Sequence, residues 1–361
     1  MSTENNRDPA LNWWRRKWLK DTGCGFAALG LAALLGEANT NCKASDGLGA
    51  RANNPLAPVQ PHFKASAKRV VWIFVNGGPS QVDTWDYKPE LPGIFQGTHL
   101  KPTSPAIDNL QPPNDLSVDS QRQQLNLLKQ LNQWHLDEHS TETDLAARIE
   151  SFELAYRMQS AAPETLDLSQ EPEHIHKLYG IDDPECDHIA RQCLMARRFL
   201  ERGVRFVQIY SGGMENQRSW DGHSDIEGNH RQFAGETDKP VAALLTDLHQ
   251  RGMLDDTLVI WCGEFGRLPI AQIGGKPGRD HNPHCFTAWL AGGGVRGGIS
   301  YGQSDEIGYK AALDRVHLND LHATILHLLG LDHEKLTYRY NGRDFRLTDV
   351  AGKVIHPLLA V

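Results

Sequence analysis

Apolar residues fall along this chain in two kinds of run, and their spacing predicts alternating strands and helices. From Arg69 to Val75 the sequence RVVWIFV is apolar at almost every position and ends on Asn76-Gly77-Gly78-Pro79. A run apolar on both faces suits a strand inside a parallel sheet that helices cover on either side. Val204–Tyr210, Thr257–Cys262 and Phe286–Leu290 read as further strands. Elsewhere the apolar period is helical. Leu125, Leu128 and Leu131 predict a helix over Asp119–His135, and Leu145, Ile149, Phe152 and Tyr156 predict another over Thr143–Gln159. Further helices are predicted over Glu185–Arg202, Val241–Arg251 and Asp320–Leu329. Strands alternating with helices imply an α/β fold with right-handed crossovers.

The ends of the chain differ in character from this pattern. Trp13-Trp14-Arg15-Arg16-Lys17 precedes GCGFAALGLAALLG, an apolar run from Gly23 to Gly36. That run falls short of the roughly 20 apolar residues a spanning helix needs. Residues 1–45 therefore read as a twin-arginine-type export signal, which implies a periplasmic protein. Left uncleaved, the segment would anchor it, and membrane contact is expected through this segment alone. Residues 46–67 are rich in Gly, Pro and Asn without a period and read as a linker; residues 68–361 form the expected domain.

Composition narrows the function. With 37 Lys+Arg against 45 Asp+Glu the net charge is −8, which speaks against a nucleic-acid binder. A mean hydropathy of −0.48 excludes a polytopic membrane protein. The six cysteines include no C-x-x-C pair, so a zinc ribbon is not indicated, and Cys186 and Cys193 read as small apolar residues on one helix face. The 17 histidines are the unusual count, because imidazole is both a metal ligand and an acid–base group.

In open α/β sheets, sites form beyond the carboxyl ends of the strands. Four segments qualify: Asn76 with Ser80 and Asp83; Asp221-Gly222-His223 with His230; Glu264-Phe265-Gly266-Arg267; and Arg279-Asp280-His281 with His284. Asp221 and His223, two apart in an extended segment, would point to one side. Carboxylate plus neutral imidazole suits a divalent ion such as zinc, calcium or manganese. The expected ligands are Asp221, His223, His230, Glu264 and His281; Asn76, Ser80, Asp83, Asp280 and His284 are further strand-end candidates. Two such ions could clamp a phosphoryl or sulfuryl group, with Arg267 and Arg279 on its remaining oxygens. Each residue also has a plainer use: His230 could serve its helix, Glu264 could pair with Arg267, and Asp280-His281 could be a surface turn. Gly292–Gly297 matches G-x-G-x-x-G, but no helix-forming run follows, so no dinucleotide site is expected. No G-x-S-x-G, H-E-x-x-H or Walker A pattern occurs.

Several long stretches carry a family resemblance. VWIFVNGGPSQVDTWDYKP, ARQCLMARRFLERGVRFVQIYSGG, WDGHSD, DDTLVIWCGEFGRLP, GRDHNPHCFTAWLAGGGVRGG and the tail from His317 resemble, in this order, the DUF1501 family. That family looks like a divergent branch of the alkaline phosphatase and sulfatase superfamily. The resemblance implies a three-layer α/β/α sandwich with a mostly parallel sheet, here truncated. It places a superfamily carboxylate ligand at Asn76, the mid-chain ligands at Asp221, His223 and His230, an Asp-His-Gly element at Glu264-Phe265-Gly266, and the last histidine at His281. Glu90 joins Leu91 directly where relatives carry a long segment that includes the nucleophile, so an internal deletion near 90–91 is expected, with Ser80 and Thr84 as the remaining hydroxyls. Two functions follow as expectations: metal-dependent hydrolysis of a small anionic ester or sulfated glycan, or an inactive relative that binds a glycan or protein. A third outcome, a remnant with uncovered sheet edges, would aggregate.

Overall fold

The computed structural model describes residues 60–76, 117–138, 162–212, 219–272, 275–340 and 343–360. The predicted export signal and the helix predicted over Thr143–Gln159 lie outside these residues, as do most of the linker and the 90–91 junction. Among the described residues no helix is long and apolar enough to cross a membrane.

The centre is a mixed sheet. β1 (Arg69–Val75) lies between β2 (Phe206–Ser211) and β3 (Thr257–Cys262), parallel to both, and β6 (Trp289–Ala291) joins β3 antiparallel. The continuous apolar run of β1 has the cause expected of it, because both of its faces are buried. Val71 and Ile73 pack with Ile209 and Val259 against α2 (Glu173–Tyr179), α3 (Asp187–Glu201) and α4 (Ile226–Gln250). Val70, Trp72 and Phe74 pack with Leu258, Ile260 and Cys262 against α5 (Leu318–Leu328). In chain order α1, Val118–Glu138, lies between β1 and α2.

Three short antiparallel ribbons were not anticipated: β4 (Gly266–Gln272) with β5 (Gly278–Asn282), β7 (Gln303–Ser304) with β8 (Ala311–Leu313), and β9 (Thr337–Tyr340) with β10 (Arg343–Arg346). The described side chains of β4, β5, β7 and β8 are mostly half-exposed or exposed, so these segments lack the apolar alternation that marks a strand. α4 is also longer than predicted. It begins at Ile226, capped by the Asp225 carboxylate accepting from the Gly228 N–H, and runs through a buried Pro240. Its first turns are largely polar, with Phe233 and Thr237 the buried positions, which leaves too weak a stripe to read.

Helices α2, α3 and α4 are joined by buried charge. Arg197 on α3 is 2% exposed, and three carboxylates surround it. Its Nη2 donates to Glu171 Oε2 at 2.5 Å and its Nη1 to Glu201 Oε2 at 2.7 Å, while its Nε lies 3.1 Å from Asp247 Oδ2 on α4. The Tyr179 hydroxyl on α2 donates to the same Asp247 oxygen at 3.0 Å, and Arg251 Nε donates to the other at 2.6 Å. Arg198 donates to Glu171 and to the Thr165 and Glu164 carbonyls. Burial works to raise the Glu171 carboxyl, but the hydrogen bonds from Arg197 and Arg198 outweigh it and hold the group below its usual range.

Removing one member of a buried ion network leaves its partners charged in a dry place, which costs about 3–5 kcal/mol. Arg197→Met should therefore lower unfolding free energy by about that amount in urea titration, with Lys177→Met, an exposed site on the same sheet side, as the near-neutral control. A second prediction concerns acid. His322 on α5, its ring 6.1 Å from Trp72, is pushed by burial from 6.5 down to about 4. The unfolded chain takes up that proton first as pH falls, so stability is lost between pH 6.5 and about 4. His322→Gln should flatten the fall in melting temperature across that window.

Candidate metal centre

The carboxyl ends of β1, β2 and β3 are closed by one aromatic plug. Trp220 stacks on Phe233 of α4 at 5.6 Å, meets Trp261 edge-on at 6.0 Å, and donates through Nε1 to Ser211 Oγ at 3.0 Å. Its backbone N–H bonds the Asn76 carbonyl at 3.1 Å, so the loop after Trp220 starts from the end of β1. Asp221-Gly222-His223 then turns tightly, the His223 N–H bonding back to the Asp221 carbonyl at 3.1 Å. The two side chains meet through this turn, not through the expected extended alternation.

The β4–β5 ribbon brings the third side chain. Its edge is joined to the Trp220 loop by backbone bonds, Arg279 N–H to Gly222 C=O at 3.0 Å and Ile226 N–H to Pro277 C=O at 3.0 Å. Gly278 makes this possible: a Cβ there would lie 1.9 Å from the His223 carbonyl oxygen. Asp280-His281, weighed above as a surface turn, is strand instead, and His281 stands in register with Arg267.

The resulting cluster is compact. His281 Nε2 lies 2.9 Å from Asp221 Oδ1, His223 Nε2 lies 3.1 Å from the same oxygen, and the two Nε2 atoms are 3.0 Å apart. Among the described residues, Asp221, His223 and His281 are the one group of such side chains whose ligand atoms converge. Gln272 at the end of β4 places Oε1 2.9 Å from His223 Nδ1, which as an N–H donor leaves its lone pair on Nε2. Phe265 packs its ring 4.4 Å from that of His281 and forms an apolar wall. Burial pulls the Asp221 carboxyl upward, but hydrogen bonds from His281 and Arg267 outweigh it and hold the group below its usual range.

The other candidates have different positions. Arg267, only 7% exposed, donates to Asp221 Oδ1 at 2.6 Å and to the Arg279 carbonyl at 2.9 Å, so it braces Asp221 and does not stand open toward an anion. Arg279 donates to the Leu268 carbonyl at 2.9 Å within the ribbon. His230 lies outside the convergent group: it meets Trp220 edge-on at 5.4 Å, and burial, followed by the charge of Arg267, lowers its proton affinity. Glu264 is also outside the group, while the ring of its neighbour Phe265 lies beside that of His281; burial, followed by the Glu264 charge, pushes the Cys262 thiol up to about 12. Asp280 caps its own strand, accepting from the His281 N–H at 2.8 Å, with Oδ1 3.8 Å from His223 Nδ1. His284 is exposed and packs toward Tyr309 at 6.0 Å. Asn76 contributes its backbone to the Trp220 loop. Ser80, Asp83 and Thr84 lie outside the described residues. The expected pair of ions therefore finds donors for one ion among the described residues.

The profile of the family described as "Protein of unknown function (DUF1501)" matches residues 67–94 and 91–359. The chain belongs to the DUF1501 family. Comparison with curated proteins and with solved structures finds no match. The DUF1501 match spans all three side chains of the cluster, together with Trp220, Arg267 and Gln272. Sequence reasoning had no means of finding Gln272, because its partner lies in a different segment and the ribbon that presents it has no apolar period.

Gly278→Ala should drive the ribbon off the Trp220 loop, so a lower melting temperature together with loss of metal binding is expected. Gln272→Ala should keep the melting temperature and weaken metal affinity by about 10- to 100-fold, the usual effect of removing an outer partner of a ligating histidine. Calorimetric titration with manganese(II) and zinc(II) checks both.

Proposed function

We propose that Asp221, His223 and His281 hold a divalent metal ion and that this DUF1501 protein is an exported, metal-dependent hydrolase of sulfate or phosphate esters. The observation that carries the proposal is the facing pair of imidazole nitrogens at 3.0 Å beside one carboxylate. Two imidazole nitrogens and one carboxylate oxygen converge within 3.1 Å of one another, and a cation can take the place of the proton they share. Two nitrogens and one oxygen suit zinc, manganese or iron(II); calcium, which takes oxygen donors, fits this set poorly. The resemblance to the alkaline phosphatase and sulfatase superfamily supplies the reaction class and the three-layer sandwich reading. Core packing on both faces of the sheet supports that reading.

A bound ion would polarise an ester oxygen and lower the pKa of a coordinated water. The remaining work belongs to the chain. Arg267 holds Asp221 in place and keeps it ionised. Gln272 fixes the His223 tautomer. Phe265 shields His281 from water on one side. The expected substrate is a small anionic ester or a sulfated glycan, and the acidic net charge makes nucleic acid a poor partner.

A second reading is an inactive relative that binds a glycan or protein in the periplasm. It draws on the family match, whose two stretches meet at residues 91–94, where an internal deletion would have removed the nucleophile segment. The two readings separate in one experiment. For the hydrolase, purified protein holds a stoichiometric divalent metal and turns over an aryl sulfate or aryl phosphate, chelation abolishes turnover, and His281→Ala loses both. Metal binding without turnover favours the second reading, and no metal binding overturns the metal site.

A further inference from the structure

Residues 60–67, the end of the segment expected to be a linker, lie as a strap across the end of α5. A helix leaves its last carbonyls without partners in its own turns. The Leu328 carbonyl accepts the Ser66 and Ala67 N–H groups at 2.9 and 2.8 Å, and the Gly330 carbonyl just beyond it accepts those of His62 and Phe63 at 2.9 and 3.2 Å. The domain is shaped for this approach. Gly330 has φ +78°, and a Cβ there would lie 2.5 Å from the Phe63 carbonyl oxygen; a Cβ at Gly294 would lie 2.5 Å from Ser66 Cβ.

The two ends of the strap are held differently. At the inner end Ala67 is fully buried in the core, and the Lys68 N–H bonds the Asp256 carbonyl at 2.8 Å. The outer end rests on histidines. The Asp332 N–H donates to Nδ1 of the exposed His62 at 2.9 Å, and the half-exposed Phe63 ring lies 4.9 Å from that of His327. The His356 ring faces His327 from 6.0 Å, and Asp332 and His333 are the other titratable groups that act on it. The Asp332 carboxylate itself is engaged by Lys335 Nζ at 3.0 Å and by the Glu334 N–H. An imidazolium carries N–H on both nitrogens and accepts nothing, so protonated His62 loses the Asp332 bond. Burial, followed by the charge of His356, lowers the proton affinity of His327, with Asp332 working the other way. We propose that residues 60–65 are an acid-released latch, closed on α5 while His62 and His327 are neutral and open once they are protonated, with Ser66 and Ala67 as its fixed end. The open form takes up protons that the closed form disfavours, so closure is complete above pH 6.5 and is lost as pH falls below it. Released, residues 60–65 extend the reach of the chain ahead of the domain by about 20 Å.

Hydrogen exchange of the full-length protein, corrected for the intrinsic rate at each pH, reads the latch at the His62, Phe63 and Asp332 amides, with the β1 amides as internal reference. One pH unit below 6.5, a single disfavoured proton changes an opening equilibrium by about tenfold. Between pH 7.5 and 5.5 the three amides should therefore lose about tenfold or more of their protection while β1 keeps its own. His62→Asn with His327→Gln supplies an acceptor and a neighbour that do not titrate, and the strap should then stay protected at both pH values. Should this pair of substitutions itself open the strap, His356→Gln decides: it leaves the strap's bonds in place and should shrink the response, and an unchanged response would overturn the role of His327. Unchanged protection at pH 5.5, loosening of β1 in step with the strap, or a tenfold response that persists in the double variant would each overturn the latch.

Discussion

Arg197 has been taken out of water with its charge intact, and the layer of helices behind the sheet is arranged to satisfy it. A buried guanidinium needs carboxylates with matched geometry, and Glu171, Glu201 and Asp247 come from three separate parts of the chain. The hydroxyl of Tyr179 and the guanidinium of Arg251 then complete Asp247. Apolar contacts between α2, α3 and α4 are non-directional and would tolerate sliding; the ion network does not, because displacing it leaves charge uncompensated. The network thus ties the carboxyl-terminal half of α4 to α2 and α3.

The other end of the same helix meets the candidate site. Phe233 of α4 is one wall against which Trp220 stacks, and Trp220 carries Asp221 and His223 into place. The second support is the β4–β5 ribbon, joined to the Trp220 loop where Gly278 lets two backbones approach. Neither support alone makes a site. The Trp220 loop contributes a carboxylate and an imidazole, and the ribbon contributes the second imidazole, the arginine that braces the carboxylate and the glutamine that orients the first imidazole. A side-chain cluster built across two pieces is more sharply defined than one built on a single loop, since each piece limits the motion of the other.

The elements most legible in the sequence were those that bury the most surface. β1 and β3 read correctly because each is apolar on both faces, and α3 and α5 because their stripes are strong. The polar start of α4 and all three antiparallel ribbons went unread, because half-exposed segments carry no period. For the site, Asp221, His223 and His281 could be nominated because histidine and aspartate at strand ends are chemically informative. Glu264 and His230 could be nominated on the same grounds and stand outside the group, and Arg267 proved to be a brace. Residue type and strand-end position tell which side chains can do chemistry; they do not tell which way each one turns.

The amino-acid sequence by itself determined that this is an α/β chain of the DUF1501 kind with carboxylates and imidazoles grouped near strand ends. Local periodicity and residue chemistry are sufficient for that. Only the tertiary structure decided that three of those groups converge and that Arg267 serves Asp221. Asp221 and His281 are separated by 60 positions, and distance in space between such residues is set by a tryptophan plug and a glycine contact that leave no periodic trace in the chain.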